Sequence, residues 1–169
     1  MTSSGPYDKS RDLCRFVESY EIDKTLLRTP DNIVSVGHSK LTKNMKVIVK
    51  CVNTTEYQKL KEVQILKKLR NTSGVINYLD HFYFSPTKIV MVTEFFGDYN
   101  LARFLRMFAP ISENTAHKIM KQLVEVSETC YNLNILHRKI KPSNILIDVK
   151  TLKIKFHNFN TCLLYTSPS

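Results

Sequence analysis

The sequence has no long apolar run. Stretches such as Ile89-Val90-Met91-Val92 fall far below the roughly 18 residues that a membrane helix needs. Met1-Thr2-Ser3-Ser4 lacks the apolar core of a secretory leader, and Thr2 stands where N-myristoylation requires glycine. These absences lead us to expect a soluble chain without membrane contact, in the cytoplasm, the nucleus or both. Cysteine is sparse too: Cys14, Cys51, Cys130 and Cys162 are widely spaced with no C-x-x-C pair, so neither a zinc ribbon nor a disulfide framework is indicated. Internal repeats and low-complexity segments are missing, and the composition marks neither disorder nor a fibre.

What is present suits about one domain: 169 residues, 43% apolar and 24% charged. The net charge of +10 raises the question of a nucleic-acid partner, since lysine and arginine neutralise phosphates. The basic residues are spread along the chain, with one dense patch at Lys59, Lys61, Lys67, Lys68 and Arg70. That patch shares a helix with Leu60, Val63, Leu66 and Leu69 at helical spacing, so it reads as the helix's solvated face rather than a nucleic-acid interface. A protein partner or substrate is the expectation, and no feature speaks to oligomeric state.

The order of elements is more informative than any one of them. Residues 1–19 read as a flexible polar segment. Tyr20 to Val36 is β-like, interrupted by turn chemistry at Arg28-Thr29-Pro30-Asp31-Asn32, which predicts a hairpin. The β-branched run Lys46 to Val52 predicts a strand, followed by the basic helix from Glu56 to Arg70 and a turn at Asn71-Thr72-Ser73-Gly74. Val75–Phe84 and Lys88–Phe96 predict two more strands. Beyond Asp98 the pattern turns helical: Ala116, Ile119, Met120, Leu123 and Val124 fall at i, i+3, i+4, i+7 and i+8, behind a Ser112 cap. Ile145–Ile147 and Leu152–Phe156 then read as a buried hairpin. The fold class is α+β, a small antiparallel sheet with one helix followed by a mainly helical part.

Within this frame, His137-Arg138-Lys139-Ile140-Lys141-Pro142-Ser143-Asn144-Ile145-Leu146-Ile147-Asp148 closely resembles the protein-kinase catalytic loop, H-R-D-x-K-x-x-N followed by a short strand. Val47-Ile48-Val49-Lys50 is similar to V-A-I-K, Glu62 sits in a helix resembling the C-helix, and Thr93-Glu94-Phe95-Phe96 looks like gatekeeper plus hinge. Asn158-Phe159-Asn160 stands at the D-F-G position. The pieces occur in family order from Tyr20 to Leu164, on the Ser/Thr side of the family. The resemblance implies an N-lobe and hinge over 20–96 and part of a C-lobe over 97–164. It also implies ATP and Mg2+ as cofactors, and a nucleotide site formed by Leu27, Val34, Lys50, Glu62, Thr93, Glu94, Phe96, Asn144 and Asn158.

The departures fall on the chemistry. Kinases transfer phosphoryl groups mainly by positioning and by neutralising triphosphate charge. Aligned on Val34, the glycine-rich pattern falls on Leu27 to Asn32 with all three glycines replaced, so side chains stand where backbone should approach phosphates. Pro30 removes a donor and Asp31 adds negative charge. Lys50 and Glu62 are kept, although only twelve positions separate them, which predicts a C-helix shortened at its first turn. Lys139 replaces the aspartate that handles the substrate hydroxyl's proton, and an ammonium has no acceptor lone pair. Lys141 and Asn144 keep a phosphate contact and one metal ligand. Asn158 offers Mg2+ a neutral amide in place of a carboxylate, which predicts weakened metal and nucleotide binding. His137 reads as structural, Phe159 as packing beneath the C-helix, and Asn160 as a glycine replacement that tolerates positive φ.

Residues 165–169 do not look kinase-like, and no A-P-E motif follows the D-F-G position. The expectation is a chain truncated in the C-lobe with a non-native tail, whose long helix over 113–131 exposes apolar surface. Two functional expectations follow: a catalytically impaired pseudokinase that acts by binding, and a working Ser/Thr kinase represented by a partial sequence.

Overall fold

The computed structural model describes the backbone of residues 9–43, 45–53 and 56–164, and the side chains of these apart from residues 56–60. It divides into two compact units, one reaching to Val63 and including Tyr78–Phe95, the other comprising Gln64–Asn77 and the chain from Phe96 onward. A contiguous cut at 96/97 would leave residues 64–77 with the first unit. Backbone bonds place the end of that segment with the second: Ile76 N–H donates to Phe156 O at 2.9 Å, and Phe156 N–H donates to Gly74 O at 2.8 Å.

The first unit is a five-stranded antiparallel sheet. Strands β1 (Tyr20–Arg28), β2 (Asn32–Ser39), β3 (Lys46–Asn53), β4 (Tyr78–Ser85) and β5 (Lys88–Glu94) lie in the order β1-β2-β3-β5-β4. Alternation of apolar residues turns Val47, Val49, Phe82, Val90 and Val92 into one buried cluster. The predicted hairpin, the strand after it and the two later strands are all present, with β4 beginning at Tyr78 rather than Val75.

The segment expected to be flexible over 1–19 is instead helical from Lys9: α1 spans Lys9–Ser19, and residues 1–8 lie outside the described residues. The cause is tertiary. Phe16 packs edge-on against Phe82 and Phe84, with ring centroids 5.3 and 5.6 Å away, and Asp12 accepts the Tyr83 backbone N–H at 2.8 Å. A polar helix with one aromatic anchor gives little sign of this in sequence, because its partners come some 65 residues later.

Helix α2 (Glu56–Lys68) begins where the sequence predicted and ends two residues early, with Val63, Ile65, Leu66 and Leu69 buried and Lys67, Lys68 and Arg70 exposed. The side chains of Lys59 and Leu60 lie outside the described ones. The second unit continues with β6 (Tyr99–Asn100), α3 (Leu101–Phe108), α4 (Glu113–Asn132), β7 (Ile135–Leu136), β8 (Ile145–Ile147), β9 (Ile154–Phe156) and β10 (Leu163–Leu164). Strands β6, β8 and β9 form a small sheet, and β10 pairs with β7. The predicted β8–β9 hairpin is therefore present. The tail at 165–169 lies outside the described residues.

Ser112 caps α4, its hydroxyl accepting the Thr115 N–H at 3.2 Å. The periodic residues of α4 are buried only in part: Ile119 is buried and Ala116 and Leu123 are half-buried. Met120 and Val124 are 56% and 62% exposed, while Ile119, Val126 and Cys130 are buried. The inward face instead includes a polar residue: the Gln122 carboxamide donates to Leu152 O and accepts from Ile154 N–H, fastening α4 to the start of β9. Gly74, at φ +73°, makes room for this packing, since a Cβ there would meet Val126 Cγ2.

If Phe16 anchors α1, Phe16→Ala should lower stability by about 2 kcal/mol, short of a fully buried phenylalanine because the ring is half-buried. Leu13→Ala, on the exposed side of the same helix, should stay within about 0.5 kcal/mol. Urea denaturation of the two variants checks the contrast.

Candidate functional site

Six of the expected site residues lie in the first unit and five in the second. In the first, sheet register sets three of them side by side: Leu27 pairs with Val34 across β1–β2, and Val34 pairs with Lys50 across β2–β3. Thr93 and Glu94 end β5, opposite Ile48 and Val47 of β3. Phe95 continues from there, its N–H donating to Lys46 O at 3.3 Å and its ring 3.8 Å beneath the Lys46 ammonium.

Lys50 Nζ lies 3.3 Å from Glu62 Oε1. The short link from β3 to α2 is no obstacle to the pair. Glu62 is 7% exposed, and a buried carboxylate is tolerated only when paired or hydrogen-bonded. Lys50 therefore holds the sheet and α2 together whatever else it binds.

The turn that replaces the glycine-rich loop is fastened down. Thr29 N–H donates to Asn32 O at 2.8 Å, and Asn32 N–H donates to Thr29 Oγ1 at 3.1 Å. The carbonyls of Pro30 and Asp31 accept from Asn53, at 3.2 Å from Nδ2 and 2.8 Å from the backbone N–H. Two of the turn's amides are thus used internally and Pro30 has none, so this turn does not offer the row of backbone donors that cradles phosphates. Asn53 is a residue that sequence reading missed, because one asparagine at a strand end carries no pattern.

In the second unit the catalytic-loop segment keeps its internal bonding. His137 is 5% exposed, with its ring edge-on to Phe156 and Phe159 at 5.5 and 4.8 Å. Its Nδ1 accepts the Lys139 N–H at 3.3 Å, which makes Nε2 the protonated nitrogen that donates to His157 O at 3.1 Å. The structural role expected for His137 follows from this arrangement. Arg138 takes a left-handed backbone, φ 59°, and its Nε donates to Thr161 O at 2.8 Å. Lys139 is half-buried, and Arg138 and Lys141 are exposed, giving three cations within four residues.

Asn144 is 5% exposed and joins the loop to the D-F-G position. Its Nδ2 donates to Lys139 O at 2.9 Å, and its Oδ1 accepts from Asn158 Nδ2 at 3.2 Å. The left-handed backbone of this segment falls at Asn158, φ 67°, whereas the short helical turn Phe159–Thr161 carries Asn160. Phe96 lies 5.0 Å beneath the Lys155 ammonium.

Asn144 and Asn158 are a poor fit to Mg2+, a hard cation usually held by one or two carboxylates. Both are neutral, and the Asn144 oxygen is already engaged by an N–H. Among the described residues no group of three or more His, Cys, Asp or Glu could hold a metal ion.

Two expectations follow. Lys50→Met leaves the Glu62 carboxylate without its cation and should cost about 3 kcal/mol, much of it recovered in the double variant Lys50→Met/Glu62→Leu; urea denaturation of all three checks this. Burial pushes the His137 imidazole below its ordinary 6.5, and the Lys139 charge adds to this against the opposing bond to His157 O. The unfolded chain then binds the proton more readily, so the contribution is complete above about pH 6.5 and is lost as pH falls. Unfolding midpoints between about pH 8 and pH 5 should decline, and the decline should be shallower in His137→Gln.

The model of the family described as protein kinase domain matches residues 34–169. Among curated proteins, the serine/threonine-protein kinase SIK1 of Rattus norvegicus is 28% identical over 151 residues, covering 83% of this chain and 19% of that protein. The serine/threonine-protein kinase ULK1 of Homo sapiens is 28% identical over 120 residues, covering 68% and 11%. The chain therefore spans only a small part of the length of these relatives. Among solved structures, the kinase PK-1 of the Cydia pomonella granulovirus matches with a TM-score of 0.78 at 21% identity, over 95% of this chain and 58% of that one, which is a likeness of fold. The matched family model, the catalytic-loop segment and the Lys50–Glu62 pair agree: the chain belongs to the protein kinase superfamily and is related to its serine/threonine kinases.

Proposed function

We propose that this protein is a kinase-fold pseudokinase, impaired in phosphoryl transfer, that acts by binding nucleotide or a protein partner. The observation that carries this is Lys139. Its amide and carbonyl belong to the loop's own bonding, to His137 Nδ1 and Asn144 Nδ2, so the backbone of the loop is built as a catalytic loop while the carboxylate is replaced by a cation. A protein hydroxyl brought to that position meets a donor where an acceptor is needed, and loss of general-base assistance costs about 10²–10⁴ in rate. Arg138 and Lys141 beside it add like charge. The fastened turn at Arg28–Asn32 and the neutral Asn158 weaken phosphate and Mg2+ binding further.

A second reading, a working serine/threonine kinase, is favoured by the intact Lys50–Glu62 pair and by the relatives' names. Transfer from labelled ATP to a protein substrate separates the two. The double variant Lys139→Asp/Asn158→Asp should exceed the unmodified chain by about 10²-fold or more. Comparable rates, with activity in the unmodified chain lost in Lys139→Ala, would establish the second reading.

A further inference from the structure

The two amides at the expected metal position are bonded to each other, and this settles how each is oriented. Asn144 has one carboxamide oxygen and one NH2 group. The NH2 faces the Lys139 carbonyl at 2.9 Å, because two carbonyl oxygens would repel there, so the oxygen must face Asn158. Asn158 answers with its own NH2 at 3.2 Å. The chain Asn158 Nδ2–H to Asn144 Oδ1, then Asn144 Nδ2–H to Lys139 O, leaves no freedom to flip one amide without breaking a bond.

We propose that the Asn158–Asn144 hydrogen bond occupies the place of a divalent cation, so that this chain holds its catalytic-loop segment and D-F-G position together without metal. The proposal rests on the reading of the site as catalytically impaired and adds what replaces the ion. A cation approaching Asn144 Oδ1 meets the partly positive NH2 of Asn158. To admit it, Asn158 must turn its oxygen inward, which gives up the bond and sets two acceptor oxygens face to face. Two neutral oxygens supply no charge to hold a hard dication, and Arg138, Lys139 and Lys141 lie in the same loop. An aspartate at 158 reverses each step. It has no N–H to give, its carboxylate confronts the Asn144 oxygen, and a cation is then what reconciles them.

The choice of amide or carboxylate at 158 therefore decides between a self-closed site and a metal-requiring one. Asparagine also suits the left-handed backbone at this position.

Thermal unfolding in chelator and in millimolar MnCl2, without nucleotide, tests this on the full chain, and it reads no phosphotransfer, so it is independent of whether the protein is active. The unmodified protein should unfold at the same temperature in both. Asn158→Asp should unfold earlier in chelator and regain temperature in MnCl2, while Asn158→Ala should unfold earlier and regain nothing. Mn2+ binding followed by electron paramagnetic resonance should leave the unmodified chain's ion signal that of free Mn2+, with Asn158→Asp binding at least about tenfold more tightly. Metal-induced stabilisation of the unmodified chain as large as that of Asn158→Asp would overturn the proposal, as would Asn158→Asp being equally stable in chelator. If Asn158→Asp does not fold even with Mn2+, the resonance titration of the unmodified chain still decides, and bound Mn2+ there rejects it.

Discussion

A buried asparagine side chain has one acceptor and one donor group, and at 5% exposure both sides of Asn144 must be answered from within the protein. One side meets the Lys139 carbonyl and the other the Asn158 amide. Its backbone does the same work at another level, with its N–H donating to Lys141 O and its carbonyl accepting from His157 N–H. Four contacts from one residue tie the catalytic-loop segment, the β8–β9 hairpin and the D-F-G position into one arrangement. His137, edge-on to both Phe156 and Phe159, braces it further. The architecture of the loop is thus maintained by groups that do not include the replaced aspartate, and this is why a lysine at 139 leaves the loop standing.

The same logic governs the first unit. An ion pair between a strand and a helix is strongly held when one partner is buried, since the alternative is an uncompensated carboxylate. Lys50 and Glu62 satisfy that requirement by themselves at 3.3 Å. The pair therefore has a structural role in joining β3 to α2 beside any part it takes at a nucleotide site. The turn at Arg28–Asn32 shows the opposite case. There the Thr29 and Asn32 N–H groups are used within the turn, and Asn53 takes up the carbonyls of Pro30 and Asp31. Lys50, Lys141 and Asn144 keep the family's residue types, while the turn over Leu27 to Asn32, Lys139 and Asn158 depart from them.

Much of this was legible in the chain itself. The order of strands, basic helix, long helix and hairpin followed from hydrophobic period and turn residues, and the string from His137 to Asp148 was enough to recognise the family. The Ser112 cap was readable because capping is a local interaction. Other features were not readable. Helix α1 depends on Phe82, Phe84 and the Tyr83 amide, far away in sequence. On α4, Met120 and Val124 form part of the exposed apolar surface expected of this helix, whereas the inward Gln122, whose amide serves β9, gives no hydrophobic signal.

What the amino-acid sequence alone determined was which elements form, in what order, and which charges stand at the positions of the chemistry, because propensity, periodicity and residue identity are properties of neighbouring residues. Only the tertiary structure decided how those groups are used: that Lys50 reaches Glu62 across the short link between β3 and α2, that Asn53 fastens the first turn, and that Asn144 and Asn158 bond to each other. Each of these joins residues separated by 12 or more positions. A hydrogen bond or ion pair exists only at a particular distance and direction, and the chain's own order carries neither.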